Sequence, residues 1–425
     1  MMMGKTISVV KKVAWVFPVA FIALGMMFKM GLAISTQTGE RSKFSTRGQW
    51  IMVGGQGING SWAADRFDMV RGLAVYKGDL FASLSGPKEG DAQVWRFDGS
   101  KWEQVAGDGV RRSWPTGSKR RVNALLSDGG HLHAGVGSPH RLGAAEVWRF
   151  DGQGWELIGG KGLKGSWGPD KDDIAYTLAV LGGDIYVGLL SEDTGGRAYV
   201  YRYDGKRWIR IAGKKEFGSW AEGEGYQGIF KLFVHEGHLY AATWGRLPGT
   251  SDIWRFNGQK WEQVGGDEVR GSWKGHTVGW IESLASHQGK LIAALVSRTS
   301  DFGSAAPIWG FDGNRWQPVA GDRVSASWNE SKIFRGLIVH EGSLCVGTGG
   351  KAGTSSLWKL QDGDRWEQIA GRGLNGSWGA SGPLTKVGKE AFEWVDVVTI
   401  HNGDLVVGLA GYPGAAQVWR YRRNN

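Results

Sequence analysis

Short runs in which apolar and other residues alternate recur along this chain in pairs, and a glycine turn joins the two runs of each pair. Two examples are RGLAVYKGDLFASL from Arg71 and KLFVHEGHLYAATW from Lys231. Alternation with a period of two is typical of half-buried strands, and a Lys-Gly or Glu-Gly pair between two such runs predicts a tight hairpin. Seven hairpins of this kind lie between Arg71 and Gly411.

A second repeated segment follows these hairpins. It reads VWRFDGSKWEQVAGDGVRRSW at residues 94–114 and returns as VWRFDGQGWELIGGKGLKGSW at residues 147–167. Its Asp-Gly turn joins two further runs, and the Asp side chain of such a turn satisfies nearby backbone N–H groups, which explains the repeated Asp or Asn better than metal binding does. A repeat of about 50 residues with two hairpins has the four strands of a propeller blade.

The copies of the second segment indicate how the two ends of the repeat region relate. Its first aromatic position is filled seven times, whereas the Trp after the turn follows its partner only six times. The seventh copy is Trp50, in GQWIMVGGQGINGSW at the start of the region. We therefore expect an all-β, seven-bladed β-propeller of four-stranded blades over residues 48–425, closed by pairing of the Trp50 strand with residues 418–421. Such closure leaves no strand edge exposed.

The units resemble the kelch-type repeats of galactose-oxidase-like β-propellers. The resemblance is carried by a glycine-turn hairpin, a variable loop, an aromatic–Asp strand and a Trp strand, as in residues 78–102, and it covers most of residues 48–421. Kelch repeats carry a double glycine after the second strand, where this chain has small residues such as Ala82 and Ser83, and the Asp-to-Trp hairpin is tighter here. The resemblance implies a propeller fold and a binding role, and it transfers no active site.

The first 47 residues differ in composition from the rest. Three lysines precede an apolar run at residues 13–28, and its length lies between a signal-peptide core and the roughly 20 residues needed to span a bilayer. We interpret residues 1–35 as a signal peptide or signal anchor and residues 36–47 as a linker; a buried helix is the alternative. The lysines favour a translocated body, so we expect an exported protein, periplasmic or extracellular, cleaved or anchored to the membrane through residues 13–28.

The charge of the chain is concentrated in the same segment. The net charge is +10, of which +6 comes from the first 47 residues. The basic balance is therefore mainly a property of the segment that precedes the repeats, and we expect no nucleic-acid partner.

Candidate chemistry in the repeat region is sparse. Cys345 is the only cysteine, which excludes a disulfide within the chain and a cysteine-based metal cluster. The residues His235, His287, His340 and His401 occupy the same place in successive hairpins and would be far apart in a ring, so we expect no metal and no cofactor. No HExxH, GxSxG or phosphate-loop pattern is present, so no catalytic residue can be assigned.

A Ser-Trp element, in most copies Gly-Ser-Trp, recurs once per unit. Its tryptophans fit either of two roles: a wedge that packs between neighbouring blades, or a platform on which sugar rings stack, as in a multivalent lectin. The seven copies are Trp62, Trp114, Trp167, Trp220, Trp273, Trp328 and Trp378.

The connections between the predicted strands fall into two classes. The glycine turns and the Asp-Gly turns are short and lie on one face of a propeller, because they join strands one to two and three to four. The remaining connections are long and variable, such as TWGRLPGTSD from Thr243, and a rigid scaffold presents its binding surface on such loops. On this long-loop face we expect the ligand-binding residues Arg111, Arg112, Arg120, Arg121, His140, Arg141, Tyr226, Trp244, Arg246, Trp280 and Tyr412.

Arginine and aromatic side chains suit glycans or acidic protein surfaces. The sequence thus predicts a monomeric binding module or scaffold for a protein or carbohydrate partner in the cell envelope or outside the cell. A multivalent lectin and a glycoside-active enzyme with carboxylates from several blades at the channel mouth are the alternatives. The identity of the ligand is left open.

Overall fold

The computed structural model describes residues between 48 and 423. The described ranges are 48–63, 65–141, 143–169, 172–192, 197–220, 225–266, 268–273, 278–297, 308–320, 333–362, 365–379 and 392–423. The predicted signal and linker, including the apolar run at residues 13–28, lie outside them. In the described ranges no helix has the length and apolar character that crossing a membrane requires.

The regular structure of these ranges is almost entirely β. The strands are β1 Gly48–Gly54, β2 Met69–Tyr76, β3 Asp79–Ser85, β4 Gln93–Phe97, β5 Trp102–Ala106, β6 Arg121–Ser127, β7 Leu132–Gly137, β8 Glu146–Phe150, β9 Trp155–Gly159, β10 Ile174–Leu181, β11 Asp184–Leu190, β12 Val200–Tyr203, β13 Trp208–Ala212, β14 Tyr226–His235, β15 His238–Gly245, β16 Ile253–Phe256, β17 Trp261–Gly265, β18 Val278–His287, β19 Lys290–Ser297, β20 Ile308–Phe311, β21 Trp316–Ala320, β22 Ile333–His340, β23 Ser343–Gly349, β24 Ser356–Leu360, β25 Trp366–Ala370, β26 Phe392–His401, β27 Asp404–Gly411 and β28 Val418–Arg423. Short 3-10 turns lie at Ile58–Gly60, Leu163–Gly165, Glu216–Gly218 and Leu374–Gly376.

The strands pair antiparallel in sets of four. In one set β2 pairs with β3, β3 with β4 and β4 with β5, and the same order recurs from β6 to β25. A further set combines both ends of the described chain, because β26, β27 and β28 pair in order and β1 pairs with β28. In this last pair Trp50 lies opposite Tyr421. The architecture is therefore a succession of four-stranded antiparallel meanders, each built from two hairpins.

The Asp-Gly turns have the geometry that the sequence predicts. Asp98 Oδ1 accepts the backbone N–H groups of Ser100 and Lys101 at 2.8 and 2.9 Å, while Gly99 has φ of +101°. These N–H donors favour the ionised carboxyl, and they lower the pKa of Asp98 to about 2. Asp98 thus holds its turn, as the interpretation of the repeated Asp residues as turn residues predicts.

The Ser-Trp tryptophans are buried. The six copies within the described ranges are between 1 and 4 % exposed, and Trp328 lies outside those ranges. Each of the six indoles donates its Nε1–H to a backbone carbonyl; Trp114 donates to Ala92 at 2.8 Å and Trp167 to Ala145 at 2.7 Å. Burial with a satisfied indole favours the packing role over sugar stacking, because a sugar could not reach these ring faces.

The tryptophans after the Asp-Gly turns connect consecutive sets. Trp155 in β9 donates to the Val105 carbonyl in β5 at 2.9 Å, and Trp208 in β13 donates to Ile158 in β9 at 2.7 Å. Trp102 in β5 donates to Val53 in β1 at 2.7 Å. In these sets the fourth strand is therefore bonded to the fourth strand before it, and β1 takes part in the same relation.

The hairpin histidines make a second set of links. His340, at the end of β22, shares a 3.0 Å hydrogen bond with the Gly403 carbonyl, and His401, at the end of β26, shares one of 2.9 Å with the Gly78 carbonyl. Both reach the glycine turn of another set. These histidines act as packing residues of the short-turn face, which agrees with their regular spacing in the sequence.

Candidate functional site

The first strand of each set carries a β-bulge at the same place. In β2 the register shifts between Val70 and Gly72, and corresponding shifts occur in β6, β10, β14, β18, β22 and β26. A bulge leaves one residue unpaired and re-aims its side chain. Six of the strands leave the residue at this place unpaired, whereas in β22 the equivalent Arg335 pairs with Gly347 and the shift follows it. We call these seven equivalent residues the bulge residues: Arg71, Asn123, Tyr176, Phe230, Glu282, Arg335 and Asp396.

All seven bulge residues line one cavity of about 240 Å³, which we call the inner cavity. Its charged groups pair with one another. Arg335 Nε lies 3.1 Å from Glu282 Oε1, and its Nη1 donates to Asp396 Oδ1. Arg71 Nη1 lies farther from Asp396, at 3.6 Å from Oδ2. One guanidinium therefore binds both carboxylates of the cavity, and the second guanidinium has only a distant partner.

Two further polar side chains, Lys231 and Asn123, line the inner cavity. Burial lowers the pKa of Lys231, next to the bulge in β14, although Glu282 and Asp396 favour the charged form. Neither polar atom of the Asn123 amide has a hydrogen-bond partner among the described residues. The Asn123 amide therefore offers a donor and an acceptor to a molecule that occupies the inner cavity.

A second cavity of about 350 Å³, which we call the outer pocket, adjoins the first and shares Arg71 and Arg335 with it. Aromatic rings form one wall. The Phe230 ring centroid lies 4.8 Å from Tyr176, 5.4 Å from Trp244 and 6.2 Å from Trp280. These four rings come from three different sets of strands.

The rim of the outer pocket is charged. Glu192, which follows β11, lies 3.4 Å from Arg121 Nη1 and 3.1 Å from His140 Nε2 through its carboxylate. The Glu192 backbone carbonyl accepts a 2.6 Å hydrogen bond from Arg246 Nη2. Burial lowers the pKa of Arg121, and the nearby Arg71 lowers it further, whereas Glu192 raises it. Arg121, His140 and Arg246, from distant parts of the chain, therefore converge on Glu192.

The structure brings together part of the set expected on the long-loop face. Arg121, Trp244, Arg246 and Trp280 line the outer pocket, and His140 contacts its rim through Glu192. Their convergence could not be deduced from the sequence, although the long loops that carry them could.

Other expected residues lie elsewhere. Arg141 lies 3.5 Å from Glu89 and lines a separate, smaller cavity with Lys119 and Glu146. The Tyr226 hydroxyl donates to Asp252 at 2.6 Å, and its ring packs 6.2 Å from Trp220, so Tyr226 is a packing residue. Arg111, Arg120 and Tyr412 are not among the residues that line the outer pocket.

Arg112 lies against a short turn and is not among the residues that line the outer pocket. Its backbone carbonyl accepts a 2.8 Å hydrogen bond from Trp155 N–H, and its guanidinium lies against Gly154 in an Asp-Gly hairpin. The segment after β5 folds back along the next set of strands, which carries Arg112 to a short turn. Loop length alone did not indicate this path.

Sequence reasoning missed the bulge residues. Their signal is a charged or polar side chain inside an otherwise apolar strand, directly before a small or polar residue and a leucine, as in Arg71-Gly72-Leu73 and Arg335-Gly336-Leu337. This signal recurs in most of the seven hairpins, at the position that faces the inner cavity.

One further cluster in the described ranges has the composition of a metal site. Asp128, His131 and His133 each place a ligand atom within 4.8 Å of the others. Asp128 Oδ1 already accepts the N–H groups of Gly130 and His131, and its Oδ2 lies 2.8 Å from His133 Nε2. This arrangement repeats the turn chemistry of Asp98 with a histidine added, so a metal would have to displace the Asp128–His133 contact.

No protein-family model and no curated protein matches this chain. Solved structures are similar to it. YCF48 from Cyanidioschyzon merolae has a TM-score of 0.50 at 11% identity, over 88% of this chain and 98% of that one. The extracellular domain of a putative hybrid two component system from B. thetaiotaomicron has a TM-score of 0.53 at 12% identity, over 88% of this chain and 41% of that one. The WD40 β-propeller domain of Doa1 has a TM-score of 0.47 at 10% identity, over 85% of this chain and 95% of that one.

At these identities the likeness concerns the fold, which is that of a β-propeller repeat protein. The kelch type is one of several propeller repeats, and the likeness does not single it out.

Proposed function

We propose that this chain is an exported, kelch-like β-propeller of seven blades, closed by the pairing of β1 with β28, which binds a carbohydrate in the outer pocket. The observation that carries the binding role is the convergence of Trp244, Trp280, Arg121 and Arg246 from different sets of strands around one concave pocket. Concave, partly apolar sites with a few polar groups are the usual form of small-ligand sites.

The pocket suits a sugar better than a flat protein surface. Its volume of about 350 Å³ lies within the range of small-ligand sites, roughly 300–1,000 Å³. The faces of the aromatic wall can pack on the apolar face of a sugar ring, and the arginines and Glu192 can hydrogen-bond to hydroxyl groups. A protein partner would need a much larger contact area, about 800 Å² per side.

The two alternatives have less support. A multivalent lectin built on the Ser-Trp tryptophans would need exposed rings, and the six described copies are buried. A glycosidase would need one carboxyl group free to act as an acid and another to act as a base or nucleophile. Glu282 and Asp396 both bind Arg335, an arrangement that balances charge rather than separating acid from base.

We expect Trp244→Ala and Trp280→Ala each to weaken carbohydrate binding by about tenfold or more, because each removes one ring of the aromatic wall. The full chain would be screened on a glycan array, and the affinity for the best glycan would be measured by calorimetry. Lys77→Ala and Lys101→Ala, which alter short turns, are the matched controls. If the short-turn variants lose affinity and the pocket variants keep it, the binding face is assigned wrongly.

Export rests on the lysine-flanked apolar run at residues 13–28. A reporter enzyme that is active only outside the cytoplasm, fused after Gln49, should be active. A fusion that starts at Met30, without the apolar run, should be inactive. Activity of both fusions, or of neither, would contradict export by this segment.

A further inference from the structure

The outer pocket and the inner cavity share lining residues, so a ligand in the outer pocket faces the charges of both. Within the described part of the chain, the lining of the two includes five cationic side chains: Arg71, Arg121, Lys231, Arg246 and Arg335. It includes three carboxylates: Glu192, Glu282 and Asp396. The surplus is therefore positive, and it lies in a concave region from which water is partly excluded.

Because the two carboxylates of the inner cavity pair with Arg335, the surplus positive charge lies near Arg71. Both inner carboxylates bind Arg335, at contacts shorter than the 3.6 Å that separates Arg71 from Asp396. The buried Arg71 Nε has no hydrogen-bond partner among the described residues. A buried donor without an acceptor is costly, and an anionic acceptor satisfies it better than a neutral one.

The outer arginines lie on the same pocket. Burial lowers the pKa of Arg121 most, and the charge of the nearby Arg71 lowers it further, so the two guanidinium groups repel each other. Arg246 lines the same pocket and donates to the backbone carbonyl of Glu192 at 2.6 Å. An anion between Arg71 and Arg121 would relieve this repulsion.

We propose that the outer pocket recognises an acidic sugar, a ring that packs on the wall of Phe230, Trp244 and Trp280 and directs a carboxylate or sulfate group to Arg71 and Arg121. This inference rests on the proposed carbohydrate function and names its ligand class. Guanidinium groups bind both anions through paired, charge-assisted hydrogen bonds.

The test uses the full chain and two matched probe pairs. Oligogalacturonate and its methyl ester differ in the charge of a carboxyl group, and dextran sulfate oligosaccharides and dextran oligosaccharides differ in sulfate. We expect at least one acidic probe to bind about tenfold or more tightly than its neutral counterpart, and the difference to shrink with added salt.

Two variants examine the arginines themselves. Arg121→Gln should weaken binding of the acidic probe by about tenfold and binding of the neutral probe by less, because only the acidic probe loses a charge-assisted contact. Glu192→Gln should strengthen binding of the acidic probe, because it removes the carboxylate that competes for Arg121. The second variant gives a gain of affinity, which a folding defect would not produce.

The possible results distinguish the preference for acidic sugars from carbohydrate binding itself, on which that preference rests. If acidic and neutral probes bind equally and Trp280→Ala weakens both, the pocket binds carbohydrate but the preference for acidic sugars is wrong. If no probe binds and the glycan array is also negative, both proposals are wrong. If an acidic probe binds and neither Arg121→Gln nor Trp280→Ala changes its affinity, it binds elsewhere and the inference is overturned.

Discussion

Replacement of Trp50 with alanine is expected to lower the free energy of unfolding by about 3–5 kcal/mol. The indole is 3 % exposed and donates to the Ile369 carbonyl in β25 at 3.1 Å. Its ring packs edge-on against Trp378 at 5.7 Å and obliquely against Tyr421 at 5.4 Å. Trp50 thus joins β1 to β28 and to the preceding fourth strand, and its loss leaves a cavity at that junction.

Urea unfolding followed by circular dichroism would measure the change, with Gln49→Ala, an exposed neighbour in the same strand, as the control. Deletion of residues 48–55 should have a larger effect, because β28 would become an open edge and the protein should aggregate. A soluble deletion variant of unchanged stability would show that β28 does not depend on β1 to cover its edge.

Replacement of Arg335 with methionine should also destabilise the protein by about 3–5 kcal/mol. Arg335 is buried between Glu282 and Asp396 and stacks 5.0 Å over the Trp394 ring. Its removal would leave two buried carboxylates with Arg71, which lies 3.6 Å from Asp396, and Lys231 as the cations that line the inner cavity. A buried charge that has lost its partner is the costly state, rather than a missing ion pair as such.

Neutralising Glu282 and Asp396 should therefore restore the stability that the loss of Arg335 removes. The triple variant Arg335→Met, Glu282→Gln, Asp396→Asn should recover most of the loss, as measured by the urea midpoint. Arg96→Ala, which breaks the more exposed pair of Arg96 with Asp79 at 2.6 Å, is the control and should cost less than about 1 kcal/mol. Equal losses for Arg335→Met and Arg96→Ala would contradict a special role of the inner cavity.

Several features of the fold were predictable because they depend on short-range chemistry. The Asp98 turn requires only an Asx side chain, two nearby N–H groups and a glycine with positive φ. Alternation predicts strands, and the repeat predicts their grouping. The displaced copy at Trp50 predicted the strand that pairs with β28, because a repeat unit missing at one end of the region was present at the other.

The binding residues were predictable only in part. Loop length placed Arg121, Trp244, Arg246 and Trp280 among candidate ligand residues, and the structure gathers these four around the outer pocket. The same argument placed Arg112 there, although its segment folds back to a short turn. The length and composition of a loop indicate that it is exposed and variable, whereas its path depends on the strands beside it.

The sequence by itself determined the repeat, the two hairpins of each unit, the turn residues and the relation between the two ends of the repeat region. Only the tertiary structure decided the inner cavity and the outer pocket. Arg335 and Asp396 are 61 residues apart, and neither has its partner within its own strand. Turns and strands are stabilised by neighbours along the chain, whereas ion pairs and aromatic walls form between side chains that only the assembly of separate units brings together.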